Sequence, residues 1–138
     1  MTTARDIMHA EAECIGEGQT LKYAAGQMRD LDIGALPICG DDGRLLGIVT
    51  DRDIVIKCIA SGLDPGTLTV GQLHQAEPVS IGPEADVEEV LHLMVANQIR
   101  RLPVTSGQRV IGMISEADLA RSLPDEAVGQ FVEAICAD

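Results

Sequence analysis

The chain has 138 residues, of which 46% are hydrophobic, and its 22 acidic residues against 10 Lys and Arg give a formal net charge of −12. Such an acidic protein repels phosphate backbones, and with one Tyr and one Phe it lacks aromatic platforms for bases, so we expect no nucleic-acid partner. Its four cysteines form no Cys-x-x-Cys pattern, which excludes a zinc ribbon and a thioredoxin-type motif.

The N-terminus shows no targeting signal. Residues 1–8 contain no apolar signal core, and no apolar run approaches the roughly 18 residues that a membrane span needs. We therefore expect a cytoplasmic protein with no membrane partner. In a reducing cytosol the default state of its cysteines is the free, mostly buried thiol.

The sequence contains an internal repeat. A shift of 66 residues places Leu36-Pro37-Ile38 on Leu102-Pro103-Val104, and a shift of 65 places Gly47-Ile48-Val49-Thr50 on Gly112-Met113-Ile114-Ser115. The chain is therefore two copies of a unit of about 60 residues. A domain of that size buries only about 60% of its unfolded surface, so we expect the two copies to share one core.

Each copy predicts the same succession of elements. In the first copy these are a strand around Cys14-Ile15, a helix capped by Thr20, strands at 35–39 and 45–49, and a helix that starts at Thr50. In the second copy they are a strand around 79–81, a helix capped by Asp86, strands at 102–105 and 110–114, and a helix that starts at Ser115. Tight turns at 41–43 and 106–108 join the last two strands of each copy as hairpins.

Turn-forming residues at 61–66 mark a linker between the copies. The predicted boundaries are therefore 1–62 for the first repeat, 63–123 for the second, and 124–138 for a C-terminal helix that Pro124 opens. That helix carries one apolar stripe, made of Val128, Phe131, Val132 and Ile135. The stripe packs either on its own domain or against a partner chain, and the pattern leaves both open.

A tandem β-α-β-β-α unit with Gly-h-h-Ser/Thr-x-x-Asp (h, hydrophobic) after each third strand resembles the CBS domain pair, or Bateman module, over residues 4–122. The resemblance implies an α/β (α+β) fold in which two CBS-like repeats pack as one pseudo-twofold module, plus the C-terminal helix. More narrowly, the chain is similar to the stand-alone two-CBS hypoxic-response proteins of actinobacteria, for example in Asp32-Ile33-Gly34-Ala35-Leu36 and Gln130-Phe131-Val132-Glu133.

The resemblance implies a regulatory, ligand-sensing module of a stress response. Its ligand would be an adenine nucleotide (AMP, ADP or ATP) in clefts between the two repeats, and it would act on an unknown protein partner. The sequence contains no P-loop, His-Glu-x-x-His or Gly-x-Ser-x-Gly motif, so we expect no enzyme activity. Two further hypotheses stay open: a protein-interaction module with vestigial nucleotide sites, and a redox or metal sensor that uses Cys14 and Cys39.

The third strand of each copy ends in a candidate nucleotide-binding motif. At the start of the following helix we expect free backbone N–H groups that attract an anion. Ser115 adds a hydroxyl donor for phosphate and Asp118 an acceptor for a ribose diol, while Thr50 and Asp53 supply the same pair in the first copy. The alternative is that these residues only cap the helices and complement the helix dipole.

The two copies differ in charge before the second strand. Arg100 and Arg101 precede Leu102-Pro103-Val104, whereas the first copy has Gly34 and Ala35 there. In CBS modules a basic residue at this place often meets a phosphate, and a guanidinium can bind phosphate with two parallel hydrogen bonds. Arg101 is the better match to this basic residue. Because the first copy lacks the charge, we expect it to bind a nucleotide more weakly. The alternative is a solvated surface pair.

Cys14 and Cys39 lie on strands that are neighbours in a CBS-like sheet, where the second copy has Ser80 and Thr105. Two free thiols, a redox-sensitive disulfide and half of a metal site all stay open, and two free thiols are the favoured interpretation. No metal is predicted, because the sequence cannot place the further ligands of a tetrahedral zinc site among Met1, His9, His74, His92 and Cys136.

Apolar helix surfaces predict a homodimer. Residues 54–60 are apolar almost all round, and the first helix of the second copy carries a wide stripe that includes Val90 and Met94. We expect these helices to pack against a second module, so that Ile56→Glu or Val90→Glu shifts a dimer toward monomer.

Overall fold

The computed structural model describes residues 2–10, 13–73 and 78–136. In chain order the elements are α1 (Ala4–Ile7), β1 (His9–Ala10), β2 (Ile15–Gly16), α2 (Leu21–Leu31), β3 (Ala35–Cys39), β4 (Leu45–Thr50), α3 (Asp51–Asp53), a π-helical segment (Ile54–Ile59), α4 (Val70–Leu73), α5 (Val87–Asn97), β5 (Arg101–Ser106), β6 (Arg109–Ser115), α6 (Glu116–Ser122) and α7 (Asp125–Cys136). This mixed α and β composition in tandem confirms the predicted fold class.

The chain divides into two compact units. The repeat-1 unit contains Ala12–Pro78 and Gln108–Val110, and the repeat-2 unit contains Met1–Glu11, Val79–Gly107 and Ile111–Asp138. The N-terminal segment therefore packs with the second repeat, which its position in the sequence did not suggest.

The local signals that start the helices act as predicted. The Thr20 hydroxyl accepts the N–H of Tyr23 at 3.1 Å, and the Asp86 carboxylate accepts the N–H of Glu89 at 2.9 Å, so each satisfies an N–H that the first helical turn leaves without a partner. In the second hairpin, Gly107 and Gln108 both have positive φ, at 57° and 72°. Two positive φ values match the right-handed twist of the flanking strands.

The repeat-1 unit is built on a three-stranded sheet in the order β2-β3-β4. β2 runs parallel to β3 and β4 runs antiparallel to it. All five residues of β3 are buried, whereas β4 alternates between buried and half-buried. The strands and helices of this unit enclose an apolar cluster of Ile15, Leu21, Ala24, Met28, Leu36, Ile38, Val49, Ile54, Cys58, Val70 and Leu73.

The repeat-2 unit has a sheet in the order β1-β6-β5, in which the N-terminal strand β1 is antiparallel to β6. Ile81 adds a parallel bridge to Val104, the counterpart of the β2–β3 pairing. Its core contains Ala4, Ile81, Val90, Met94, Leu102, Val104, Ile114, Leu119, Phe131 and Ile135.

The prediction of one shared core is wrong, because each apolar cluster lies within a single unit. Segments from outside the β-α-β-β-α pattern supply the missing apolar surface. Ala4 from α1, with Phe131 and Ile135 from α7, completes the repeat-2 cluster. Val70 and Leu73 from α4 complete the repeat-1 cluster.

The prediction for Val90 is also wrong. Its side chain is fully buried in the repeat-2 core, and Val87, Leu91, Leu93 and Val95 are partly buried against the same core. The wide stripe of α5 is thus explained by packing within its own unit. A glutamate at position 90 would bury an unpaired charge and disrupt the fold.

The helix predicted after Thr50 is a short α-helix that continues as a π-helix. The N–H of Ala60 donates to the carbonyl of Val55, an i+5 hydrogen bond of 2.9 Å. Ile54 and Cys58 face the core, whereas Val55, Ile56 and Ile59 are each more than half exposed. An apolar face of this helix is therefore left uncovered within the chain.

The C-terminal stripe packs on its own unit. Phe131 and Ile135 of α7 are buried in the repeat-2 core, and Gln98 Nε2 donates to the carbonyl of Ala134 at 3.0 Å. Val132 of the same stripe stays 47% exposed. Among the described helices, none combines the length and apolar character that crossing a membrane requires.

Candidate functional site

The Ser/Thr-x-x-Asp motif closes a reciprocal capping box in both repeats. In the repeat-2 unit the N–H of Ser115 donates to Asp118 Oδ2 at 2.9 Å, and the N–H of Asp118 donates to Ser115 Oγ at 3.2 Å. In the repeat-1 unit Thr50 and Asp53 exchange the same two bonds, at 3.1 and 3.0 Å. The capping interpretation of these four residues is therefore correct as local structure.

The expected free N–H groups at these helix starts are largely engaged. The N–H of Glu116 donates to the carbonyl of Arg100 at 3.0 Å, and the N–H of Asp51 donates to the carbonyl of Gly34 at 2.9 Å. The capping boxes use the amides on either side. The protein's own acceptors therefore satisfy most of the donors of the predicted backbone anion site in this structure.

Asp118 is the one buried charged residue among those described, with a side chain only 4% exposed. Its Oδ2 also accepts the Ser115 hydroxyl at 2.9 Å. Its Oδ1 contacts Arg121 Nη2 at 2.6 Å and His9 Nε2 at 2.8 Å. Both carboxylate oxygens are thus hydrogen-bonded, as a buried carboxylate requires.

Asp53, the counterpart of Asp118, has a more open environment. Its side chain is 26% exposed, and its nearest cation is Lys57 Nζ, 3.4 Å from Oδ1. The two repeats therefore present the same capping residues with different access to the carboxylate.

The N-terminal strand β1 brings His9 to this site. β1 pairs with β6 so that His9 lies opposite Met113 and Ala10 opposite Gly112. A Cβ at Gly112 would meet the Met8 side chain and come within 3.0 Å of the His9 carbonyl, so glycine permits this close approach. Sequence reasoning missed His9, since nothing in the spacing relates positions 9 and 118. It also missed Arg121, although the i,i+3 spacing from Asp118 was a usable signal.

The arginine pair lies at the same junction of the repeat-2 unit. The carbonyl of Arg100 accepts both the N–H of Glu116 and Arg101 Nη1, the latter at 2.9 Å. The Arg100 guanidinium lies 4.0 Å from Glu116 and 3.7 Å from the sulfur of Cys136. The structure thus brings Arg100, Arg101, Ser115 and Asp118 into one unit, and their binding to a ligand stays a prediction.

An open hollow beside α5 is lined by Asp86, Glu88, Glu89, His92 and Leu93. It contains none of the predicted site residues. Its three carboxylates oppose a phosphate, so it is a poor candidate for a nucleotide site.

Cys14 and Cys39 are joined as a disulfide, with their Cα atoms 5.7 Å apart. The favoured interpretation as two free thiols is therefore wrong for this structure. The parallel pairing of β2 with β3 explains the proximity, because it places Gly16 opposite Cys39, and Cys14 comes only two residues before Gly16. Cys58 and Cys136 are free, the first buried and the second exposed.

Two copies of a strand–hairpin–capped-helix junction on two similar sheets define a tandem regulatory module of the CBS type. The CBS domain family model matches residues 4–59 and 70–125, and the chain belongs to this family. CBS-domain proteins are generally regulatory and non-catalytic, and no catalytic family is indicated.

Two curated proteins are similar to the chain over most of their length. The chain is 55% identical to "Hypoxic response protein 1" of Mycobacterium tuberculosis over 136 residues, which cover 99% of this chain and 95% of that protein. It is 38% identical to "Uncharacterized protein YlbB" of Bacillus subtilis, covering 88% of this chain and 82% of that one. The predicted similarity to the hypoxic-response proteins is confirmed.

Solved structures agree on the fold. The crystal structure of Hypoxic Response Protein I with two coordinated zinc ions matches with a TM-score of 0.82 at 54% identity, over 89% of this chain and 100% of that one. CBSX2 in complex with AMP matches with a TM-score of 0.75 at 21% identity, over 88% and 96% of the chains. A hexameric CBS-CP12 protein from bloom-forming cyanobacteria matches with a TM-score of 0.78 at 32% identity, over 86% and 69%.

Hypoxic Response Protein I holds two zinc ions in its crystal structure. Within residues 2–10, 13–73 and 78–136, no three His, Cys, Asp or Glu side chains come together as metal ligands. The sulfurs of Cys14 and Cys39 are bonded to each other. Met1 and His74 lie outside the described residues.

Removing the capping hydroxyl should lower the free energy of unfolding by different amounts in the two repeats. Ser115→Ala and Thr50→Ala should each destabilise the protein by about 0.5–2 kcal/mol. Ser115→Ala should cost more, because its hydroxyl also donates to the buried Asp118, whereas Asp53 is partly solvated. Urea unfolding of both variants measures the difference. An equal or larger loss for Thr50→Ala would contradict this account.

Proposed function

We propose that the chain is a non-catalytic regulatory module that binds an adenine nucleotide at the β6–α6 junction of the repeat-2 unit. Membership of the CBS family supports a regulatory role. The AMP complex of CBSX2, a protein of the same fold, supports the ligand class. The observation that carries the proposal is the arginine pair, which the Glu116–Arg100 hydrogen bond holds directly beside the start of α6.

The proposal assigns each residue of the repeat-2 site a contact with the nucleotide or a supporting role. Arg101 contacts the phosphate with its guanidinium, and Arg100 adds positive charge once it leaves Glu116 and Cys136. Asp118 accepts a ribose hydroxyl, and Ser115 keeps the carboxylate oriented for it. In the repeat-1 unit Thr50 and Asp53 offer only the ribose part, because Gly34 and Ala35 stand where the arginines are. A nucleotide there binds more weakly.

Calorimetry with AMP and adenosine tests these assignments. Asp118→Ala should weaken both ligands about ten- to a hundredfold, the value of a lost hydrogen bond to a charged group. Arg101→Ala should weaken AMP and leave adenosine nearly unchanged, because the guanidinium senses the phosphate charge. Arg29→Ala, which removes an exposed arginine elsewhere, is the matched control.

Equal losses of AMP and adenosine on Arg101→Ala would make Arg101 structural. Because Asp118 also caps α6, the Asp118→Ala protein must still unfold cooperatively above the assay temperature. If the wild-type protein binds neither ligand, the chain is instead a protein-interaction module with vestigial nucleotide sites.

The proposal includes a homodimer. Val55, Ile56 and Ile59 leave an apolar face of the π-helical segment more than half exposed, and Leu63 nearby is 48% exposed. A second copy covering this face would remove it from water, and a twofold dimer is the commonest closed assembly.

Ile56→Glu should shift the protein from dimer to monomer, because it places a charge in the centre of that face without touching the core. Light scattering at micromolar concentration measures the mass. Leu31→Glu, at a 42% exposed apolar position on α2, is the control and should leave the mass unchanged. A monomer mass for the wild-type protein would refute the dimer.

A second candidate function is a redox sensor, favoured by the Cys14–Cys39 disulfide. Oxidation joins the two sulfurs and passes two electrons and two protons to a small-molecule disulfide, which becomes two thiols. The bond ties β2 to β3, so its formation would stabilise the repeat-1 unit.

Thiol counting under denaturing conditions should find two free thiols, Cys58 and Cys136, without reductant and four after reduction. Reduction should lower the free energy of unfolding by about 3.5 kcal/mol, the value for a loop closed between cysteines at a sequence separation of 25. The Cys14→Ser/Cys39→Ser protein should not respond to reductant. Four reactive thiols in protein purified without reductant would rule the sensor out.

A further inference from the structure

The ribose acceptor of the proposed site is occupied by the protein itself. Asp118 Oδ1 accepts hydrogen bonds from His9 Nε2, at 2.8 Å, and from Arg121 Nη2, at 2.6 Å. Its Oδ2 accepts hydrogen bonds from the backbone N–H and the hydroxyl of Ser115. A ribose hydroxyl therefore has to displace one of these donors before it reaches the carboxylate.

His9 is the donor that is easiest to displace. The Ser115 bonds belong to the helix cap, and Arg121 lies on the same helix as Asp118, one turn away. His9 comes from a separate segment, and its side chain is 71% exposed against 4% for Asp118. Its imidazole can turn into water while the cap and the Arg121 ion pair stay in place.

The backbone that carries His9 is held firmly. The N–H of Ala4 donates to the carbonyl of Ala85 at 2.8 Å, and the N–H of Val87 donates to the carbonyl of Thr2 at 3.1 Å. Ala4 is fully buried, and β1 pairs with β6 next to Gly112. The N-terminal segment thus presents His9 to Asp118 without depending on the His9–Asp118 contact for its own position.

We propose that His9 is an autoinhibitory strap, a side chain that competes with the ligand's ribose for Asp118. The inference rests on the nucleotide site proposed above and adds its regulation. Asp53 has no such covering group among its described contacts beyond Lys57, which lies on its own helix. The strap therefore acts on the repeat-2 site alone.

Removing the strap should strengthen binding, the opposite of removing any ligand contact. His9→Ala should lower the Kd for adenosine about two- to tenfold, the net value of one hydrogen bond. Arg121 still neutralises Asp118 in this variant, so no buried charge is left unpaired. Adenosine is the probe because it carries no phosphate, and the arginine pair then contributes little.

Three control variants separate the strap from other effects. His9→Gln keeps a side-chain N–H donor and should bind adenosine more like the wild type than like His9→Ala. His92→Ala removes an exposed histidine of α5 and should leave the Kd unchanged. In an Asp118→Ala background, His9→Ala should give no gain, since the two residues then have no interaction to lose.

The outcomes distinguish this inference from the function beneath it. If the wild-type protein binds adenosine and His9→Ala binds it equally or more weakly, the strap is overturned and the nucleotide site stands. If neither protein binds adenosine or AMP, both proposals fall. A gain that persists in the Asp118→Ala background would also overturn the strap, because it would act elsewhere.

Discussion

A single carboxylate, that of Asp118, connects the parts of the repeat-2 unit. It caps the helix α6 that follows β6, it pairs with Arg121 one turn along that helix, and it receives His9 from the N-terminal strand. Because it is buried, it must keep hydrogen-bond donors on both oxygens, and any change at one donor is felt by the others. The end of the sheet, the start of the helix and the N-terminal segment are thus coupled through one group.

The repeat-1 unit has the same capping box, but its carboxylate is more exposed to solvent. Thr50 and Asp53 form the same capping box, yet Asp53 stays partly solvated with Lys57 as its cation. The helix that follows passes into a π-helix and leaves Val55, Ile56 and Ile59 exposed. In the repeat-2 unit the apolar stripe of α5 packs against the unit's own core. The two copies therefore differ in what they leave available: an apolar face in the first, and in the second an arginine pair and a carboxylate that His9 covers.

Local signals in the sequence predicted most of the elements, because caps, hairpins and the alternation of strands depend on neighbouring residues. Thr20, Asp86, Thr50 and Ser115 all cap helices as predicted, and β3 has the predicted bounds. The errors arose where distant segments meet. The predicted β-α-β-β-α units gave α1 and α4 no part in a core, and the packing of α7 was left open. The sequence therefore predicted one shared cluster and an interface role for Val90. The His9–Asp118 contact joins residues with no common pattern, and only the folded chain reveals it.

The Ser/Thr-x-x-Asp motif is weaker evidence for a ligand than its two occurrences suggest. Helix capping alone accounts for Ser115, Asp118, Thr50 and Asp53 in both repeats. Capping does not account for Arg100 and Arg101. They are two adjacent cations in a chain with a net charge of −12, and among the described residues the one carboxylate within 4.0 Å of either is Glu116, which lies 4.0 Å from Arg100. An anion that brings its own charge to this junction would satisfy what the protein does not. The proposal of a phosphate-bearing ligand therefore depends on the arginine pair, and in that proposal the donors that already occupy Asp118 set how freely the ribose would bind.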